Sequence, residues 1–180
     1  MTDVILDVSH IAKTFGHVQA LKDITLSLRK GRVHTLLGEN GAGKSTLMKI
    51  LAGVYPPTQG TITLRGETIT INNPQHSRQL GIAIIFQELS LSNNMTVAEN
   101  IYANNEPRRF GIINDKKMLA DCQNLLAELG IPLDPLEMVG NMSMAHRQLV
   151  EIAKALSYAA DVVIMDEPTS ALSQSEVKVL

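Results

Sequence analysis

The stretch that decides the fold is Gly38-Glu39-Asn40-Gly41-Ala42-Gly43-Lys44-Ser45-Thr46. It matches the phosphate-loop pattern G-x-x-x-x-G-K-[ST], in which backbone N–H groups, a lysine and a hydroxyl surround the phosphates of a nucleotide. The apolar run 33–37 before it predicts a buried strand, and a helix is predicted from Lys44. The Lys44 ammonium is expected at the terminal phosphates and the Ser45 hydroxyl at Mg²⁺. A nucleoside triphosphate site is thus predicted, and a structural glycine turn is the alternative.

A second stretch supplies carboxylates for the same chemistry. An apolar run that ends in Asp166 and Glu167 is typical of a buried parallel strand whose end meets a phosphate loop. Asp166 is predicted to hold Mg²⁺, and Glu167 to orient or deprotonate the attacking water. The alternative is that both carboxylates are ordinary charges at the start of a helix.

Composition excludes several classes of protein. Of the 180 residues, 44% are hydrophobic and 19% are charged, which predicts one folded domain. No apolar run approaches the roughly 18 residues of a membrane span, and the N-terminus does not resemble a signal peptide, so a cytoplasmic protein is expected. A net charge of −2 argues against a nucleic-acid partner. The only cysteine, Cys122, lies on the apolar face of a predicted helix and is expected in the core.

The order of predicted elements divides the chain into a β-rich part (1–94), a helical insert (95–158) and a final strand region (159–180). Turns are predicted at 59–60 and 65–66, and a capping box at Thr96 and Glu99. A last helix follows Ser143, with an apolar face and a polar face. The polar face is predicted to hold Arg147, Gln148, Glu151 and Lys154. Further strands are predicted at 4–8, 24–28, 61–64, 67–71 and 82–86. Further helices are predicted at 44–52, at 74–80 and at 115–129, and the last of them is predicted to end at Gly130.

The amino-acid sequences of these motifs resemble those of the ATP-binding subunits of ATP-binding cassette (ABC) transporters. The segments that carry the resemblance are 37–49, 95–101, 147–156 and 165–172, and it extends over essentially the whole chain. Within that family they are similar to bacterial monosaccharide importers of the ribose, galactoside, xylose and autoinducer-2 type. The resemblance implies an α/β fold of the P-loop NTPase, ABC type, with an N-terminal antiparallel β part and a helical insert. It also implies ATP and Mg²⁺ as cofactors.

Three further site residues are implied by the resemblance. Gln87 matches the glutamine that binds magnesium and couples to the membrane partner, although a polar residue can simply end a strand. Phe15 matches the ring that stacks on adenine, with a core residue as the alternative. Ser143 matches the serine of the Leu-Ser-Gly-Gly-Gln signature, which binds the γ-phosphate held by the opposite half. The residues after it, Met144-Ala145-His146, depart from that signature.

The implied function is ATP hydrolysis that energises import of a sugar or sugar-like solute. The implied partners are transmembrane permease subunits, indirectly a solute-binding protein, and a second cassette half, on the inner face of the plasma membrane. The chain stops before the family's switch histidine, so it is expected to be the truncated N-terminal half of a two-cassette protein, with an exposed apolar edge at the 162–165 strand. Alternatives are a non-catalytic ATP-binding module and a cassette ATPase of DNA repair or translation.

Overall fold

A computed structural model describes residues 3–39, 41–86, 89–158 and 160–166. The chain forms two compact units, Met1–Ile84 with Ala160–Ile164 and Ile85–Ala159 with Met165–Leu180. The elements in chain order are β1 (Val4–Phe15), β2 (Val18–Arg29), α1 (Lys44–Leu51), β3 (Gln59–Leu64), β4 (Glu67–Ile69), α2 (Pro74–Gln79), β5 (Ile82–Ile85), α3 (Val97–Ile101), β6 (Arg108–Arg109), β7 (Ile112–Ile113), α4 (Asp115–Glu128), a 3-10 turn (Val139–Asn141), α5 (Met144–Leu156) and β8 (Val162–Met165).

The first unit contains a four-stranded sheet in the order β2-β1-β3-β4. All three strand pairs are antiparallel, which confirms the predicted N-terminal antiparallel part. The turn predicted at 65–66 is present, with Arg65 and Gly66 at φ angles of 54° and 85°. One apolar cluster joins the sheet to α1 and to the start of the β5 and β8 strands. Its buried members are Leu6, Val8, Ile11, Leu21, Leu47, Ile50, Leu51, Ile62, Leu64, Ile71, Ile82 and Val162.

The turn predicted at 59–60 is wrong, because both residues lie within β3. Gly60 has a φ of +93°, and a Cβ atom there would lie 2.4 Å from the carbonyl oxygen of His10. The pairing of β1 with β3 shifts register between Ser9 and Ala12, opposite this glycine. Gly60 therefore serves the close approach of two backbones at a β-bulge.

The strand predicted at 33–37 is also wrong. Residues 32–39 are neither helical nor in a strand, and Val33 and Leu37 are 97% and 85% exposed. After β2 the chain turns at Gly31, with a φ of 66°, and His34 Nε2 accepts a hydrogen bond from the Arg29 N–H at 3.0 Å. An apolar run marks a segment that could be buried, but a strand also needs a hydrogen-bonded neighbour, and no strand among the described residues pairs with this segment.

Helix boundaries in both units follow local signals. Asn73 Oδ1 accepts a hydrogen bond from His76 N at 2.8 Å at the start of α2, and Pro74 is its first residue. The capping box at Thr96 and Glu99 is present and begins α3. Gly130, with a φ of 65°, follows α4 as predicted.

Helix α5 differs from its predicted amphipathic pattern. Gln148 and Glu151, predicted on the polar face, are only 5% and 7% exposed. Glu151 is buried because it accepts hydrogen bonds from Ser90, and these compensate for the lost hydration of its carboxylate. The partner lies 61 residues away in the chain, so helical periodicity could not reveal it.

Cys122 lies in the core of the second unit, as predicted, with no exposed surface. Burial raises the pKa of this thiol to about 11. The thiolate is therefore disfavoured at neutral pH, and the residue acts as a small apolar side chain.

Candidate functional site

The phosphate loop ends at a glycine that no other residue can replace without strain. Gly43 has a φ of +92°, and a Cβ atom there would lie 2.5 Å from Leu21 Cδ2 and 2.8 Å from the carbonyl oxygen of Ala20. Gly41 has a φ of +85° but would meet no atom within 4 Å. Contact with β2 at Gly43 thus fixes the point where the loop becomes α1.

The Lys44 side chain folds back over the loop. Its ammonium donates hydrogen bonds to the carbonyl oxygens of Gly38 at 2.5 Å and Glu39 at 3.0 Å. The Ala42 N–H donates to the same Glu39 oxygen at 3.1 Å. The structure thereby brings Gly38, Glu39, Ala42 and Lys44 together around one turn. Asn40 lies outside the described residues.

The start of α1 is suited to an anion. Gly43 provides no side-chain cap, and the first turn contains no acidic residue. Leu47 N bonds to Gly43 O at 3.0 Å, so the N–H groups of residues 44–46 precede this first intrahelical bond. These N–H groups, the helix dipole and the Lys44 ammonium all favour negative charge. The loop therefore fits a phosphate group, and the exposed Ser45 hydroxyl supplies an oxygen ligand of the kind that Mg²⁺ prefers.

Phe15 is not a core residue, because 40% of it is exposed. Its ring packs edge-on against Tyr55, with centroids 5.1 Å apart, and the Lys13 ammonium lies 5.0 Å from the Phe15 centroid. Lys13 is paired with Leu21, the side chain that contacts Gly43. Since Phe15 is two residues beyond Lys13, about 7 Å along the strand, the sheet places this aromatic group in the same region as the loop. Tyr55 was missed, since nothing in the local sequence links it to Phe15.

Asp166 lies directly after β8, and its N–H donates to the carbonyl oxygen of Ile85 at 3.0 Å. At the other end of the two strands, the Val162 N–H donates to the carbonyl oxygen of Gly81 at 3.1 Å. The beginning of β5 is therefore bonded to the beginning of β8, and the end of β5 is bonded to the end of β8. The two strands consequently run in the same direction. Asp166 accordingly lies beside Ile85, the last residue of β5. Gln87 and Glu167 themselves are outside the described residues.

Ser143 is the N-cap of α5, with its Oγ accepting a hydrogen bond from the His146 N–H at 3.2 Å. Arg147 in the same turn donates to the carbonyl oxygen of Gly140 at 2.9 Å, which ties the helix start to the segment before it. Ser143 and Asp166 belong to the second unit, whereas Phe15 and the phosphate loop belong to the first.

These features define a nucleotide-binding protein with a phosphate loop, an antiparallel sheet and a helical unit. The chain belongs to the ABC transporter family, whose model matches residues 21–170. Its fold is that of the ATP-binding cassettes, a mixed α/β fold with an N-terminal antiparallel sheet.

Similar sequences come from sugar importers. The chain is 51% identical over 176 residues to a putative ribose/galactose/methyl galactoside import ATP-binding protein of Hahella chejuensis, covering 97% of this chain and 34% of that protein. It is 50% identical over 178 residues to the ribose import ATP-binding protein RbsA 1 of Streptomyces avermitilis, covering 99% and 34%. The chain thus spans about a third of the length of these relatives.

Solved structures of cassettes are similar as well. The ADP conformation of an ATP-binding cassette of an ABC transporter superposes with a TM-score of 0.84 at 28% identity, covering 99% of this chain and 74% of that one. For cbiO1 of Clostridium perfringens, part of an ABC transporter complex, the TM-score is 0.80 at 26% identity, with coverage of 98% and 70%. Within the described residues, no helix combines the length and the apolar character needed to cross a bilayer.

Proposed function

We propose that this chain binds and hydrolyses ATP to energise the import of a sugar or sugar-like solute. The observation that carries the proposal is the start of α1, where Gly43 leaves the helix uncapped beside the Lys44 ammonium. The similar ribose and galactoside import ATP-binding proteins support a sugar as the solute. Permease subunits would hold the chain on the inner face of the plasma membrane, a solute-binding protein would act through them, and a second cassette half would complete the site.

Each site residue has a proposed role. Phe15 would stack on adenine, and residues 38–46 would hold the phosphates. Ser45, Gln87 and Asp166 would hold Mg²⁺, which supplies charge neutralisation for the phosphates when bound. Glu167 would accept a proton from the attacking water as its oxygen bonds to the γ-phosphorus and the bond from that phosphorus to ADP breaks. Ser143 would contact the γ-phosphate held by another half, and Gln87 would also couple hydrolysis to the permease.

The division into 1–94, 95–158 and 159–180 belongs to the same proposal. The first part would supply adenine and phosphate binding, the second would supply Ser143, and the third would supply the two carboxylates. Closure of two halves around ATP and reopening after hydrolysis would move the permease, because the γ-phosphate would contact the Ser143 segment of the other half only in the closed pair.

Replacement of Glu167 by glutamine tests the catalytic part of the proposal. Glu167→Gln should bind ATP with unchanged affinity, while phosphate release falls about 100-fold or more, because the general base is lost. Affinity is measured with a fluorescent ATP analogue and turnover by phosphate release, and Glu128→Gln at the exposed end of α4 is the control. Unchanged turnover would remove Glu167 from catalysis. ATP binding by the wild type without any turnover would instead establish the non-catalytic module.

A further inference from the structure

The ring of Phe15 is supported by a side chain from a later segment of the chain. Tyr55 contacts it edge-on, with the ring centroids 5.1 Å apart and the ring planes at 78°. Tyr55 is half-buried and packs against the apolar cluster of the first unit, whereas 40% of Phe15 is exposed. The core therefore fixes Tyr55, and Tyr55 in turn limits the positions that the exposed ring can take.

Lys13 ties the segment that bears Tyr55 to the end of β1. Its ammonium donates a hydrogen bond to the carbonyl oxygen of Pro56 at 2.7 Å. The same ammonium lies 5.0 Å from the Phe15 centroid and 5.8 Å from the Tyr55 centroid, so it is attracted by both rings. One charge thus holds the two rings and the neighbouring backbone in a single arrangement.

The segment that bears Tyr55 is also fixed to the end of α1. The N–H groups of Val54 and Tyr55 both donate to the carbonyl oxygen of Lys49, at 2.9 and 3.4 Å. Before them, Gly53 turns the chain with a φ of 73°, and a Cβ atom there would lie 2.5 Å from the carbonyl oxygen of Asn73. Tyr55 therefore has a fixed place at the end of the helix whose first turn follows the phosphate loop.

A fixed ring is a better platform for a base than a mobile one. An exposed phenylalanine samples several rotamers, and a ligand that stacks on it has to select one of them, which costs affinity. The contacts from Tyr55 and Lys13 select the rotamer before a ligand arrives. They therefore lower that cost for a flat ring that stacks on Phe15.

We propose that Tyr55 and Lys13 are positioning residues that hold the Phe15 ring for adenine at a fixed distance from the phosphate loop. Helix α1 has eight residues, so about 12 Å separates its first turn from the end that carries Tyr55. Because one helix joins the support of the ring to the loop, the base and the phosphates bind at a set separation. This inference rests on the proposed function, in which Phe15 stacks on adenine and the loop holds the phosphates.

Two probes test the proposal in the whole chain, each with Mg²⁺. One is the ATP analogue adenylyl imidodiphosphate, and the other is inorganic tripolyphosphate, which has the phosphates without the base. In titration calorimetry, Tyr55→Leu should bind the analogue about tenfold more weakly, because the ring support is lost, and tripolyphosphate with wild-type affinity. Tyr55→Phe, which keeps the ring, should match the wild type for both probes. Unchanged binding of the analogue by Tyr55→Leu, or equal losses for both probes, would overturn the proposal.

A double substitution shows whether Tyr55 acts through Phe15. In a Phe15→Leu background, Tyr55→Leu should cause no further loss of affinity for the analogue, because no ring is left to position. A further tenfold loss would overturn the positioning role.

The part played by Lys13 has its own test. Lys13→Met, which removes the charge and keeps an unbranched side chain, should weaken binding of the analogue about threefold. Lys116→Met, at an exposed lysine of α4, is the control and should leave it unchanged. Equal affinities in Lys13→Met and the wild type would remove Lys13 from the proposal. A wild-type chain that binds neither probe would overturn the proposed function itself, and the positioning role with it.

Discussion

Helices α1 and α5 both begin at residues proposed to contact phosphate, yet their first turns differ. Gly43 begins α1 with a left-handed backbone and no side-chain cap, so the first N–H groups stay available to a ligand. Ser143 begins α5 with an extended backbone, and its hydroxyl accepts a hydrogen bond from the His146 N–H. The comparison shows that no side chain of the described residues caps the first turn of α1, whereas in α5 the Ser143 hydroxyl already accepts a hydrogen bond from one of these N–H groups.

The largest expected effect comes from adding a methyl group at the start of α1. Gly43→Ala should lower the free energy of unfolding by about 2–4 kcal/mol, because left-handed strain adds to a clash with the Ala20 carbonyl oxygen. Gly41→Ala is the matched control, since that position has a φ of +85° but open space, and about 1–2 kcal/mol is expected. Urea unfolding of both variants measures the difference. Equal losses would show that contact with β2 does not fix the loop.

A smaller effect is expected at the start of α5. Ser143→Ala should lower the free energy of unfolding by about 1 kcal/mol, because the N-cap hydrogen bond is lost, and Ser143→Asp should restore it. If Ser143 also contacts the γ-phosphate of a second copy, both variants should weaken ATP-dependent self-association, measured by analytical ultracentrifugation. Thr96→Ala, which removes the capping box of α3, should lose similar stability and keep the self-association. Unaltered self-association in the Ser143 variants would leave this serine a cap alone.

A further prediction concerns Cys122, whose reactivity reports whether the core of the second unit is closed. With its pKa raised to about 11, about 0.1% of the thiol is ionised at pH 8, against roughly a quarter in an unfolded chain. Labelling by a thiol-reactive disulfide should therefore be at least about 100-fold slower in the native chain than in urea, and should accelerate as pH rises towards 11. Rapid labelling at pH 8 would contradict the closed core around Cys122.

Local signals in the sequence predicted much of the fold. The capping box at Thr96, the proline after Asn73 and the glycine after α4 each act within one helical turn, so a single window of sequence contains the cause. The glycines and lysine of the phosphate loop are likewise local. That is why the fold class and the loop around Lys44 could be predicted from the sequence alone.

Features that depend on distant partners could not be predicted in this way. The apolar segment 33–37 has the composition of a strand, but composition does not supply a hydrogen-bonded neighbour. Glu151 is a charged residue of the kind found on the solvent-exposed face of a helix, yet it is buried because it accepts a hydrogen bond from Ser90. Gly60 resembles a turn residue, but the approach of the His10 backbone places it in a bulge. The β6–β7 hairpin was missed too, although Gly111, with a φ of 82°, was an available turn signal.

Thermal unfolding with and without Mg-ATP tests the central claim that the loop at 38–46 binds the nucleotide. At a concentration about 100-fold above the dissociation constant, ATP should stabilise the wild type by about 2.7 kcal/mol. Lys44→Ala should gain no stability from ATP relative to its own midpoint without nucleotide, because the ammonium that meets the phosphates is lost. An equal ATP-dependent gain in Lys44→Ala, or no gain in the wild type, would contradict the account.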